Sequence, residues 1–97
     1  MCLMINETVN TIYGRSKNPW DNTRTVGGSS GGEGGMVASK CCAMGVGNDI
    51  GGSIRIPALS CGVNGIKVTS KRWSYEGVFG GKFIIKYQEI KVAIRLD

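Results

Sequence analysis

Three observations predict an α/β fold for this chain. Between Met36 and Thr69 the segments run helix, strand, tight turn, helix, strand, the order that builds layered α/β architectures. Glycines gather between Gly27 and Gly52, at the joints of that order, and the 16 in the chain far exceed the usual share of about 7%. The apolar fraction, 41% of 97 residues, suits a chain with a modest core and one domain at most.

The elements follow in order. Leu3 to Tyr13 mixes apolar and β-branched residues and fits either helix or strand. Asn18-Pro19-Trp20-Asp21 is a turn, because proline fixes φ and biases Asn18 away from the helical region. Past the glycine run, Met36, Val37, Ala38, Cys41, Cys42 and Ala43 read as a buried helix stopped by Gly45. Ser29 and Ser30 sit just ahead of it, where hydroxyl oxygens accept from orphan helix amides. "AMGVGND" reads as an interior strand ending at Asp49, and Ile50-Gly51-Gly52-Ser53 as a tight turn. "SIRIPALSCG" then begins a helix, with Pro57 tolerated in its first turn. "NGIKVTS" supplies a strand over 65–69, and "KFIIKYQEIKVAI" partly alternates, as a strand or hairpin would.

Charge and cysteine usage narrow the function classes. The net charge of +5 is scattered from Arg15 to Arg95, which describes a solvated basic surface and not a nucleic-acid-binding block. No apolar run reaches bilayer length, and "MCLMINETVN" lacks the basic and apolar regions of a signal peptide. Cys2, Cys41, Cys42 and Cys61 form no C-x-x-C pair and no histidine accompanies them, so neither a metal site nor a cofactor is expected. Cys41 and Cys42 read as small buried packing residues of a protein kept in a reducing compartment. The absence of histidine also excludes a Ser-His-Asp or Cys-His mechanism built from these residues alone.

Two serine-glycine stretches remain, "GGSSGGEGG" and "NDIGGSIRIP". Neither is a phosphate loop, since no Gly-Lys-Ser/Thr occurs, and Ile50 stands where a dinucleotide fingerprint would need glycine. The nucleophile elbow G-x-S-x-G fails as well, because Ile54 and Arg55 follow Ser53. A flexible linker would suit the first stretch taken by itself. The second points elsewhere: Ile50, Gly51, Gly52 and Ser53 would present successive backbone N–H groups around a concave turn, a cradle for the oxyanion of acyl transfer. Ser53 would place its Oγ beside the same carbonyl carbon. A serine nucleophile without imidazole can pass its proton through a second hydroxyl to a neutral lysine.

From Gly27 to Pro57, "GGSSGGEGGMVASKCCAMGVGNDIGGSIRIP" resembles the signature of the amidase signature family of serine hydrolases. "YGRSKNPWDNTRTVGGSSGGEGG" resembles its fatty-acid amide hydrolase branch, and "GVNGIKVTSKRWSYEG" resembles the family's usual continuation, with Val68 where proline is common. The resemblance implies a mixed twisted sheet covered by helices and a Ser-cisSer-Lys triad. It makes Ser53 the nucleophile and Ser29 the bridging serine, whose preceding peptide bond is cis in the family. It assigns Ile50, Gly51, Gly52 and Ser53 as oxyanion donors. Ser30, Asp49 and Arg55 would brace the two loops by hydrogen bonds or an ion pair, with an ordinary polar loop role open beside that one.

The family's lysine lies upstream of the bridging serine in a separate strand and loop. Only Lys17 precedes Ser29, and its "RSKNPW" matches another family segment, so Lys17 is not assigned as the base. The expectation is therefore a partial amidase domain over 1–97, with the signature core at about 18–77 and a divergent tail at 78–97. Such a piece would be inactive alone. Its whole parent would cleave small-molecule amides or esters, fatty-acid amides among them, as an intracellular protein, cytoplasmic or membrane-associated. The alternative is a catalytically dead amidase-like binding or regulatory remnant. No nucleic-acid partner is expected.

Overall fold

The computed structural model describes residues 6–69, 72, 74 and 76 and the backbone of Ile90–Ile94. Cys2 and most of the predicted tail strand or hairpin lie outside the described residues. Two short strands, β1 (Val9–Asn10) and β2 (Gly14–Arg15), form an antiparallel hairpin. Its turn is organised by Asn10, whose side-chain oxygen accepts from the N–H groups of Ile12 and Tyr13. Of the segment that fitted helix or strand, residues 9–13 enter a hairpin set by an Asx turn, and residues 3–5 lie outside the described residues.

The central unit is a three-stranded sheet with two helices. Helix α1 (Gly31–Ala38) leads to β3 (Met44–Asn48), then α2 (Arg55–Cys61), β4 (Asn64–Ile66) and β5 (Ile90–Ile94). Strand order is β3-β5-β4, with β5 antiparallel to both neighbours. β3–α2–β4 is therefore a split βαβ unit with the last strand inserted between its two parallel members. Val46, Val92 and Ile66 share one register row, and Gly45, Ala93 and Gly65 the next. Glycine in that second row lets both helices lie close to the sheet. A Cβ on Gly45 would stand 2.9 Å from Cβ of Glu33 in α1, and one on Gly65 would stand 2.8 Å from Cβ of Ala58 in α2.

The predicted first helix differs from the observed one at both ends. It starts inside the glycine run and stops before the cysteines, so Val37 and Ala38 are buried, whereas Met36 is half exposed and Cys41 and Ala43 are exposed. Four glycines in eight residues give α1 poor intrinsic propensity, so packing holds it. Its end is a Schellman turn: Cys41 N–H reaches Met36 O at 3.0 Å, Lys40 N–H reaches Val37 O at 3.1 Å, and Lys40 takes φ 62°. A lysine fills a position where glycine is the usual signal, which is why the stop was expected at Gly45. Cys41 and Cys42 follow that turn and are exposed and half-buried, not core residues.

Helix α2 agrees with expectation. Pro57 sits in its first turn, where the missing N–H costs nothing, and Gly62 at φ 68° ends it. The predicted turn at Asn18 closes its far end: Asn18 Nδ2 donates to Ser60 O at 2.7 Å and Trp20 Nε1 donates to Cys61 O at 2.7 Å. These side chains satisfy carbonyls that a helix end leaves unpaired. β4 runs over Asn64–Ile66 and not 65–69, because its pairing with β5 ends at Ile66 opposite Val92. Val26, Ala38 and Cys61 pack as a buried cluster joined by Val63, and burial pushes the Cys61 thiol pKa up.

Gly27 carries a close approach of loop backbone to helix backbone. It has φ 83°, and a Cβ there would stand 2.7 Å from Cα of Pro57. Gly27→Ala is expected to destabilise the protein by roughly 2–4 kcal/mol, from the strained dihedral and the backbone clash together. Lys40→Gly, at an exposed left-handed position, is expected to stabilise it by about 1 kcal/mol. Urea unfolding midpoints of the two variants check the opposite signs.

Candidate active site

The site is built from two loops. The first, Gly27 to Ser30, leads into α1, and its Gly28–Ser29 peptide bond is cis. The second, Asp49 to Ile54, joins β3 to α2. They meet through the backbone, where Ser30 N–H donates to Ser53 O at 3.0 Å. Ser30 Oγ also donates to Asn48 O at 3.3 Å, at the end of β3. Ser30 thus ties the loops together. It is the N-cap residue of α1, yet it makes no side-chain capping bond. Its hydroxyl is committed across the gap, and Thr8 Oγ1 takes the Gly31 N–H at 3.1 Å in its place.

Asp49 shapes the second loop. Its side chain is fully buried, and its carboxylate accepts from Gly52 N–H (2.8 Å), Ile54 N–H (3.2 Å) and Arg55 N–H (3.2 Å). Arg55 adds a forked contact, Nε to Oδ2 and Nη2 to Oδ1, both at 3.0 Å. Burial by itself would raise the pKa of this carboxyl. The Arg55 guanidinium and the amides of Arg55, Ile54 and Gly52 overcome that effect and hold it well below the usual carboxylate range. The negative charge also sits at the amino end of α2, where free N–H groups favour it. Asp49 and Arg55 therefore brace one loop against its own helix, and the link to the other loop falls to Ser30.

Ser29 and Ser53 are both half-buried. Among the described residues, their hydroxyls make no hydrogen bond with each other or with another group, so the loops approach without an Oγ–Oγ bond. Catalytic hydrogen bonds are often long before substrate binds. Of the four expected oxyanion donors, Gly52 gives its N–H to Asp49. Those of Ile50, Gly51 and Ser53 make no hydrogen bond among the described residues. A cleft of about 300 Å³ opens beside the first loop, lined by Ser29, Ser30, Glu33 and Asn48 together with Thr8 and Asn10. Lys17 does not line this cleft. No three His, Cys, Asp or Glu side chains of the described residues come together as a metal cluster.

One residue that shapes the site carried no sequence signal for it. Thr8 lies in a polar segment without a motif, yet its hydroxyl donates to Gly27 O, 19 residues on, and only contact across the fold reveals it. Thr25, inside the quoted family-like stretch, accepts from Gly27 N–H two residues on.

The fold is that of amidase signature enzymes. The solved structure of a 6-aminohexanoate cyclic dimer hydrolase, complexed with substrate, superposes with a TM-score of 0.86 at 36% identity, over 93% of this chain and 19% of that one. A family model described as Amidase matches residues 1–91, running into the tail, and the chain belongs to the amidase family. Fatty-acid amide hydrolase 1 of Sus scrofa is 46% identical over 74 residues, covering 76% of this chain and 13% of the relative. Acetamidase of Aspergillus oryzae is 50% identical over 76 residues, covering 78% and 14%. The chain thus spans less than a fifth of the length of these three proteins. Among the described residues no helix is long and apolar enough to cross a membrane.

The Asp49 interactions generate a pH prediction. An unfolded aspartate titrates near 3.9, and the folded one lies lower, so its contribution is fully present above about pH 5 and is lost as pH falls toward the folded value. Asp49→Asn is expected to cost about 3 kcal/mol at pH 7, the low end for a broken buried pair because the guanidinium is half exposed. The variant should also lose less stability than the parent between about pH 5 and pH 2. Urea titrations across that range measure both effects.

Proposed function

We propose that this chain is the nucleophile-bearing part of an amide hydrolase, a partial amidase domain whose base is supplied by polypeptide outside residues 1–97. The 3.0 Å bond from Ser30 N–H to Ser53 O carries the reading, because it sets the two serine loops side by side. In the proposed reaction Ser53 Oγ attacks the acyl carbon and its proton passes to Ser29 Oγ. From there the proton moves to a neutral lysine amine. The N–H groups of Ile50, Gly51 and Ser53 receive the oxyanion, while the Gly52 N–H stays with Asp49 and keeps the turn in shape. The proton returns to the leaving amine, and water then releases the acyl group from Ser53.

Small-molecule amides are the substrate class. The resemblance to the fatty-acid amide hydrolase branch favours long acyl chains, as amides or esters. The sheet face away from the helices supports the partial-domain reading: Met44, Val46 and Ile66 are about half exposed there, at 56%, 52% and 48%. An apolar face of that kind requires a covering layer.

The test has two arms. The 97-residue chain alone is expected not to label at Ser53 with a fluorophosphonate, since general base assistance contributes roughly 10²–10⁴-fold. In the complete polypeptide, Ser53→Ala is expected to lower kcat for a long-chain primary amide by about 10⁴-fold or more. A complete polypeptide that hydrolyses no amide would favour the alternative, a binding or regulatory remnant.

A further inference from the structure

We infer that Thr8 is a positioning residue for Ser29, through a clamp on both ends of the loop that carries it. The Thr8 hydroxyl donates to Gly27 O at 2.8 Å and accepts from Gly31 N–H at 3.1 Å. Its one hydrogen and one lone pair are thereby committed to the residues flanking Gly28-Ser29-Ser30. Gly27 is held from its other side as well. Its N–H donates to Thr25 Oγ1 at 2.9 Å, and the Thr25 hydroxyl in turn donates to the Glu7 carboxylate. Glu7 is fixed by Arg15, whose Nη2 lies 2.8 Å from Oε2. Adjacent residues Glu7 and Thr8 thus control Gly27 at N–H and C=O and Gly31 at N–H.

The clamp matters because the Ser29 side chain has no polar anchor of its own among the described residues. Its hydroxyl makes no hydrogen bond among the described residues, so the loop backbone decides where Oγ sits. Ser30 is pinned to Ser53 O at 3.0 Å, which fixes the loop on the Ser53 side. Thr8 fixes the opposite side, and it lines the cleft that Ser29 also faces. Gly27 and Gly31 are buried, so water does not replace the lost partner when the hydroxyl is removed. Misplacing a reacting group by about 1 Å can cost roughly 10²-fold in rate.

This inference rests on Ser29 being the proton relay, and the experiment separates the two. In the complete polypeptide, assayed with a long-chain primary amide, Thr8→Val keeps the volume and deletes both hydrogen bonds. It is expected to lower kcat by about 10–100-fold with KM within about 3-fold, whereas Thr8→Ser stays within about 3-fold of the parent. In a Ser29→Ala background, Thr8→Val should then change kcat by less than about 3-fold, because a residue acting through Ser29 has nothing left to position. A general loss of structure would instead multiply with Ser29→Ala. Should Thr8→Val melt before it can be assayed, Thr8→Cys takes its place with the same thresholds. A Thr8→Val kcat within 2-fold of the parent, beside a Ser29→Ala variant that is strongly impaired, overturns the clamp alone. So do effects that multiply in the double variant. An undiminished Ser29→Ala enzyme overturns the relay and the clamp together.

Discussion

A single buried carboxylate organises the region around Ser53. Asp49 is fully enclosed, and it is tolerated there because backbone amides and the Arg55 fork surround it with N–H groups. Those donors come from Gly52, Ile54 and Arg55, so their attraction to one point folds the turn and starts α2. Ser53 lies between two residues that the carboxylate grips, and its backbone has little freedom left. Its carbonyl can then serve as a fixed acceptor for Ser30 N–H. The second serine loop is thus located relative to the first by a chain of interactions that begins at Asp49.

The two loops are stabilised by different means. The Asp49 loop closes on charge and amides drawn from within seven residues of sequence. The Ser29 loop has no ionised group of its own and depends on two hydroxyls, that of neighbouring Thr25 and that of Thr8, 19 residues from Gly27. Helix α1 behaves in the same way. Rich in glycine, it stands because Gly27 and its own glycines allow Pro57 and α2 to come close. Local propensity and tertiary packing divide the work unevenly between the two halves of the site.

Where the interactions are local, they were legible in the residues. Pro57 in a first turn and the strand before Asp49 both follow from short-range rules. Asp49 and Arg55 could be expected to pair, but their confinement to one loop could not be read from spacing alone. The stop of α1 was missed because Lys40 adopts the left-handed conformation without being glycine. That misplacement also put Cys41 and Cys42 in the core. Ser30 was expected near the helix amides, yet its hydroxyl turns to Asn48 O, a choice decided by β3 packing alongside. Thr8 was invisible for the same reason: an ordinary polar residue gains meaning only from what the fold brings to it.

The position of β5 bears on how the polypeptide comes together as it is made. Among the described residues β3 and β4 do not pair with each other, and both pair with Ile90–Ile94. A ribosome delivers the loops of both serines, and both helices, before that middle strand leaves the exit tunnel. Until then the backbone edges of β3 and β4 stand open, and the glycine row beneath the helices has no sheet to complete. Closure onto a strand that emerges later is the entropically slow kind, joining segments distant in sequence. In that interval the nascent chain carries the signature residues but not the platform that aligns them.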